Sequence, residues 1–377
     1  MIRQRLQAPA SAQPAQAQEA AVAASFIGDY ALALECMDSF ATPLPRLSPA
    51  DSLYFRRFAP RSAHAYIIER ARHERIVLLN EAHHVPLHRV FTLSLLADLY
   101  AQGYRYFGAE TLNGDDRTLM RRGYAATTLT DYYLNTGYYS AEPQYGNLIH
   151  EALRLGFTVF AYEAQFNAQT PLSAREREMQ QARHIQQILA ADPTAKVVLQ
   201  AGYDHIREDS VEGWGRAMAG RVREFTGINP FTINQEKLTE KSAPRWENPY
   251  YRLVLAQEPS VLVDAQGQAF SGPPGTAYFD VRVYHPPTRY EYGRPHWLQL
   301  AGRRKPYFLK RLPPSLTYPC LVFAYRAQED ARLAVAADII ELNTATEGKA
   351  LLLEPGPYRL RLQSSNGTST YQKIRVK

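Results

Sequence analysis

The sequence predicts an α/β fold: a mostly parallel sheet flanked by helices, followed by a C-terminal β-sandwich-like domain. Three observations predict it. Four short apolar runs in the first two thirds end on polar groups: Ile76–Leu79 on Asn80-Glu81-Ala82-His83, Tyr106–Ala109 on Glu110, Phe157–Tyr162 on Glu163, and Val197–Ala201 on Gly202-Tyr203-Asp204-His205. Helix-length amphipathic stretches separate these runs, as expected of buried parallel strands joined by crossover helices. Beyond Gln235 the pattern changes to alternating strands with turn residues at Pro355-Gly356 and Asn366-Gly367.

Residues 1–50 read as a leader followed by a helical segment. The first 20, rich in Ala, Gln and Pro, predict disorder. They start on the basic Met1-Ile2-Arg3-Gln4-Arg5 but lack the apolar centre of a signal peptide. Ala15–Gln18 looks like the small-residue end of an export signal. The chain therefore reads as cytoplasmic as written, and as exported if its true start lies upstream of Met1.

Residues 51–240 form the α/β core. Pro86–Gln102 is its first crossover helix, with Leu87, Val90, Phe91, Leu95 and Leu99 at helical spacing and Gly103 as the stop. Asn147–Leu155 repeats the device before Gly156. Ala174–Ala191 carries the stripe Met179, Ala182, Ile185 and Leu189, and Val211–Phe225 forms a further helix ended by Gly227. Residues 241–300 are a linker and a segment flanking the cleft, with the polar, Pro-interrupted Lys241–Tyr250 as an exposed connection. His285–Arg289 and Gly293–Trp297 serve either as a substrate wall or as interdomain packing. Strands over Ala277–Tyr284, Leu321–Tyr325, Ala350–Leu353, Tyr358–Leu362 and Tyr371–Val376 complete the β-rich part, whose domain spans 301–377.

Composition narrows the function. With 377 residues and 45% hydrophobic content, the chain can bury two medium cores. A net charge of +6 is modest, and the cluster Arg303-Arg304-Lys305 lacks aromatic interleaving, so it reads as solvated surface and no nucleic-acid partner is expected. Cys36 and Cys320 stand far apart and read as free thiols. No apolar run approaches the ~18 residues that span a bilayer. The expected partner is a small molecule or a peptide, and nothing in the pattern fixes an oligomeric state.

Parallel sheets bind ligands at the carboxyl ends of their strands. Glu81, His83, Glu110, Glu163 and His205 each stand one step past a strand and so are expected to line one cleft. His84 and His88 are secondary candidates, because strand alternation turns His84 away from His83 and His88 falls in the first turn of a helix. Glu163 doubles as a possible cap or ion-pair partner. Arg177 and Arg183 are solvated unless the first turn of their helix faces the cleft.

These residues carry a resemblance. Asn80-Glu81-Ala82-His83, followed by His88 and an apolar helix, resembles the Gly-Glu-x-His signature of the superfamily that joins erythromycin esterases, ChaN-like haem-binding lipoproteins and TIKI-type metalloproteases. Arg177-Glu178, Gln181-Ala182 and Ile185 resemble that family's Arg-Asp-x-x-Met-Ala-x-x-Ile helix. Gly202-Tyr203-Asp204-His205 resembles its second Gly-x-x-His, and Glu110 matches the glutamate ending the intervening strand. The likeness covers about residues 70–235. Asn80 replaces the first glycine, at a turn where the motif calls for positive φ, and Gln181 replaces the methionine. The esterase branch selects His84 as its histidine, whereas the other two branches select His83, the choice adopted here.

Two histidines and two or three glutamates, with no recognisable Ser or Cys nucleophile motif, suit a hydrolase that activates water. In a metal-dependent version, His83, Glu110 and His205 bind Zn, Mn or Fe, with Glu81 as base or fourth ligand. In a metal-free version, His83 takes the proton, Glu110 orients or activates the water, and Arg177 stabilises the oxyanion. The ChaN-like alternative is a haem-binding protein with a histidine on the iron and Tyr132, Tyr133, Tyr138 and Tyr139 as an aromatic wall or axial ligand. A degenerate scaffold whose β domain carries the function is the third reading.

Overall fold

The computed structural model describes residues 14–113, 116–127, 135–164, 171–276, 278–310 and 312–377. Among the described residues three helices come first: α1 (Pro14–Phe26), α2 (Tyr30–Asp38) and α3 (Pro49–Phe55). α1 begins inside the stretch whose composition predicts disorder. From Pro14 on its alanines reverse that expectation, since Ala has the highest helix propensity and Ala17, Ala21 and Ala24 are buried; the residues before it lie outside the described ones.

The core is an eight-stranded sheet made of β1 (Ala59–Ser62), β2 (Ile76–Glu81), β3 (Tyr106–Ala109), β4 (Thr158–Ala161), β5 (Val197–Gly202), β6 (Phe231–Leu238), β7 (Ser260–Val263) and β8 (Val281–Tyr284). Its order is β1-β7-β8-β6-β2-β5-β3-β4. Pairing is parallel from β8 through β4 and antiparallel only where β7 meets β8 and β1. β2 and β5 are buried on both faces, so each reads as a continuous apolar run.

Six helices complete this half: α4 (Ala63–Ala71), α5 (Leu87–Ala101), α6 (Asp116–Arg122), α7 (Pro143–Leu155), α8 (Ala174–Ala191) and α9 (Met218–Thr226). α5 and α7 pack on one face through Val90, Leu95, Leu148 and Ile149. α8 and α9 cover the other through Ala182, Ile185, Met218 and Val222. A reciprocal cap between Ser173 and Glu176 fixes the start of α8.

Two helices differ from their predicted outlines. The stretch expected to be helical from Val211 instead forms a small hairpin, Ser210–Val211 with Gly215–Arg216, and α9 starts at Met218. Gly213 and Gly215 adopt positive φ there, which a helix excludes. On α8 the buried stripe runs through Glu178 rather than Met179, one position off the apolar reading.

The boundary at residue 240 moves. Lys241–Tyr250 lies mostly at the surface, but the chain then returns to supply β7 and β8 to the core sheet. Val281–Tyr284, read from sequence as part of the β-rich extension, is a buried strand parallel to β6. Cleavage in Lys241–Tyr250 would therefore split one sheet rather than release a finished domain.

Besides a short hairpin of Tyr290–Glu291 with Arg294–Pro295, two antiparallel sheets follow: β9 (Lys305–Tyr307) with β12 (Leu351–Leu353), and β10 (Cys320–Arg326), β11 (Asp338–Leu342), β13 (Gly356–Gln363) and β14 (Ser369–Val376) in the order β11-β10-β13-β14. Val322, Leu351, Leu353, Leu360 and Leu362 share the core between them. This unit sits on α7. Asn147 donates to Ala337 O at 2.8 Å and accepts from Arg326 at 2.7 Å. Arg304 donates to Gln144 at 2.6 Å, and Arg303 to Glu151 at 3.1 Å. The basic cluster read as solvated is thus largely interface. The Gly293–Trp297 stretch also packs between units, with Arg294 paired to buried Asp338 at 2.8 Å. Cys36 and Cys320 are free.

Candidate functional site

In sheet order β2, β5, β3 and β4 are adjacent, so their carboxyl ends bring Glu81, His205, Glu110 and Glu163 to one edge. Glu81, the last residue of β2, is 1% exposed and is held from all sides. Arg89 of α5 donates to it through Nη2 and Nε at 2.6 and 2.8 Å, and Gln200 donates at 3.1 Å. Burial opposes its charge, but Arg89 keeps the Glu81 carboxyl below its ordinary range. An anion so fully engaged cannot act as the base or metal ligand considered from sequence. Instead Glu81 Oε1 lies 3.0 Å from His83 Nδ1 and orients that ring.

Arg89 also donates to His83 O and to Glu142, both at 2.9 Å. Glu142 caps α7, accepting from the backbone N–H groups of Gln144 and Tyr145 at 2.9 Å. Arg89 and Glu142 are wholly buried and were not singled out from sequence, because no short-range pattern links residues 53 positions apart.

His83 is 8% exposed. Tyr139 stacks on its ring at 3.8 Å between centroids, and Tyr203 meets it edge-on at 5.0 Å. With Nδ1 committed to Glu81, Nε2 remains. It lies 2.7 Å from the point where a Gly202 Cβ would stand, and Glu110 Oε2 lies 3.1 Å from that same point. Gly202 has an ordinary extended backbone, so its value here is space for the His83 ring. The following residue, Tyr203, adopts φ +40, a costly left-handed conformation for an aromatic side chain. Asn80 secures that bend by donating to Tyr203 O at 2.8 Å, while its Oδ1 accepts from Gln235 N at 2.7 Å. Asn80 itself lies within β2 and does not occupy the positive-φ turn expected of the motif's glycine.

Glu110 organises the other half. Its Oε2 accepts from Gly202 N, and its Oε1 accepts from Arg177 Nη2 at 2.6 Å. Glu163 holds the same guanidinium through bonds of 3.0 and 2.5 Å, and Gln181 donates to Glu163 at 2.9 Å. The first turn of α8 thus faces the cleft, with the Arg177 side chain 38% exposed. His205 stands between carboxylates, its Nε2 3.3 Å from Glu110 and its Nδ1 2.7 Å from Glu178. Arg177 Nη1 also lies 3.0 Å from His205 Nε2, a contact that would need a lone pair there. The two flanking carboxylates favour the doubly protonated ring. Burial disfavours that cation, yet Glu110 and Glu178 raise His205 to about 10. Reciprocally, burial opposes the Glu110 anion, but His205 and Arg177 hold it far below the usual carboxylate range. Glu178 was missed as a site residue. Its signal was present, since it lies four and seven residues before buried Ala182 and Ile185 on the same helical face.

The secondary histidines lie apart. His84 lines a small recess with Tyr30, Glu240, Thr288 and Trp297, and burial pushes it down to about 3. His88 accepts from Ala82 N at 3.1 Å and braces the turn after β2; burial holds it neutral. Arg183 is exposed on the far side of α8. Tyr132 and Tyr133 lie outside the described residues.

As arranged, the residues do not fit the cofactors considered. Among the described residues no group of three or more His, Cys, Asp or Glu gathers to hold a metal ion. The Arg177 guanidinium already supplies positive charge to Glu110 Oε1. Tyr139 stacked on one face of His83 and Tyr203 set edge-on against it leave a haem plane no approach to that ring.

No family model matches the sequence, and no curated protein matches it. Solved structures similar to this chain include the type III effector HopBA1, with TM-score 0.36 and 11% identity over 63% of this chain and 99% of that one. Another is RRSP, a MARTX toxin effector domain from Vibrio vulnificus CMCP6, with TM-score 0.31 and 18% identity over 46% of this chain and 37% of that one.

Proposed function

We propose that this chain is a metal-free hydrolase acting on an ester or peptide bond. Glu81 fixes His83 with Nδ1 protonated, so that Nε2 takes the proton of a water placed between it and Glu110. The resulting hydroxide attacks the substrate carbonyl. Arg177 and protonated His205 then stabilise the oxyanion, and the His83 imidazolium returns its proton to the leaving group. Glu163 and Glu178 hold those two cations in position. The supporting observation is that the missing side chain of Gly202 lets His83 Nε2 and Glu110 Oε2 come together at the strand ends, with Arg177 and His205 on the other oxygen of Glu110. The resemblance to the erythromycin esterase, ChaN-like and TIKI-type superfamily accords with this scaffold and site.

The test is turnover of an aryl-ester panel and a fluorogenic peptide library by the whole protein and by His83→Ala. Loss of general-base assistance should lower kcat/KM by roughly 10²–10⁴-fold with the fold retained by circular dichroism. Undiminished hydrolysis in His83→Ala, or no turnover of any member by the wild type, would defeat the reading.

A further inference from the structure

β6 and β8 carry a second polar cluster that the proposed chemistry leaves unused. Arg282 of β8 is only 6% exposed, and its register partner on the parallel neighbour β6 is Asn234. Side chains paired in this way rise from the same face of the sheet, here the face opposite Val281, Val283 and Ile233, which pack in the core shared with α5. The Arg282 guanidinium has the Phe270 ring at 5.8 Å and the Gly272 backbone beside it, where an added Cβ would come within 2.6 Å of Nη2. Its Nε has no hydrogen-bond partner. Glu236, the acidic group that acts on it through space, is engaged by Lys237 at 3.1 Å.

The neighbours show the same deficit. Asn234 Oδ1 accepts from Lys237 N at 2.9 Å, which turns Nδ2 the other way, and that buried amide nitrogen has no partner. The buried Tyr250 hydroxyl, which acts electrostatically on Arg282, has none either. These are donors that lack an acceptor, beside a cation that makes no hydrogen bond to Glu236, the carboxylate acting on it. Buried polar groups are ordinarily satisfied, and a buried charge without a partner is costly.

We propose that Arg282, Asn234 and Tyr250 form a binding site for a small oxyanion, a carboxylate or a phosphate group, separate from the His83–Glu110 centre. A guanidinium suits either, since its parallel N–H groups match two oxygens of one anion. Burial lowers Arg282 to about 10, which leaves it cationic at neutral pH. The turn over residues 271–276, closed by the bond from Thr276 N to Pro273 O at 3.1 Å, walls the site, and Gly272 admits the guanidinium because it has no side chain.

The full chain is melted in sodium acetate, sodium phosphate and sodium chloride at matched ionic strength. Acetate or phosphate should raise Tm by several degrees over chloride, a response to acetate alone assigning a carboxylate and one to phosphate alone a tetrahedral anion. Arg282→Met should abolish the rise. If that variant does not fold, Asn234→Leu, which keeps the cation, should weaken it. Equal Tm in all three salts, or a rise undiminished in the variants, overturns the proposal. Neither result depends on hydrolytic turnover.

Discussion

Two sets of buried histidines lie near the same strand ends, one facing carboxylates and the other with ring nitrogens left unpartnered. His83 and His205 each face a carboxylate, Glu81 and Glu110 respectively, and His205 is held protonated well above neutrality. His84, His88 and His285 have ring nitrogens without partners, and burial keeps all three neutral. Neighbouring positions 83 and 84 fall on opposite sides of this divide because they share the turn closed by Val85 N to Ala82 O, which sets His83 against Glu81 and Tyr139 and His84 into the recess beside Tyr30 and Trp297. Burial is common to both sets. What separates them is whether the surrounding helices deliver an acid, as α8 does with Glu178 at 2.7 Å from His205.

The strongest way to break this contrast is through Arg89, which underwrites the charged side. Arg89→Met leaves Glu81 and Glu142 buried without their cation, and should lower stability in urea by about 3–5 kcal/mol. Wild-type stability in that variant would mean that the carboxylates are protonated in the fold and that His83 is not oriented by an anion.

A smaller effect sharpens the contrast through pH. His205 is raised in the folded state, so its contribution is complete below its ordinary value of 6.5 and is lost as pH climbs towards about 10. His84 is depressed to about 3, so its neutral form supports the fold above 6.5 and loses that support as pH falls. His205→Gln should flatten the alkaline limb of a stability profile. His84→Leu should flatten the limb between 6.5 and 4.5, above the range where carboxylates titrate. Unchanged limbs in chemical denaturation at stepped pH would erase the distinction.

The smallest effect is the control. Arg183 shares α8 with Arg177 but lies exposed, 5.9 Å from the Phe225 ring. Arg183→Ala should leave turnover unchanged and stability within about 0.5 kcal/mol. A large loss of turnover would show that the charged surface of α8, and not the clamp on Arg177, matters.

What was legible in the sequence has a local cause. Strand ends could be read because parallel strands are continuous apolar runs, so Glu81, Glu110 and His205 stand out where the runs stop. The first turn of α8 was partly legible, since the Ser173–Glu176 cap sets its phase, but an apolar-only stripe chose Met179 over Glu178. Arg89 and Glu142 were illegible because their partnership exists only after α5 and α7 pack together. The misplaced boundary has the same origin: β7 and β8 are four residues each, and nothing local says that they rejoin a sheet begun some 200 residues earlier.

Helix α7 has a practical consequence for anyone wishing to shorten this protein. One end of it, through Glu142, steadies the arginine behind His83, while its flank carries the C-terminal sheets. A stop after β8 would bare the flank that Asn147 and Gln144 now share with Ala337 and Arg304. A stop before β7 would leave β6 as a raw edge, open to pairing with another copy. The chain therefore offers no seam at which a minimal working unit could be cut, and a search for one should trim the ends and leave the middle intact.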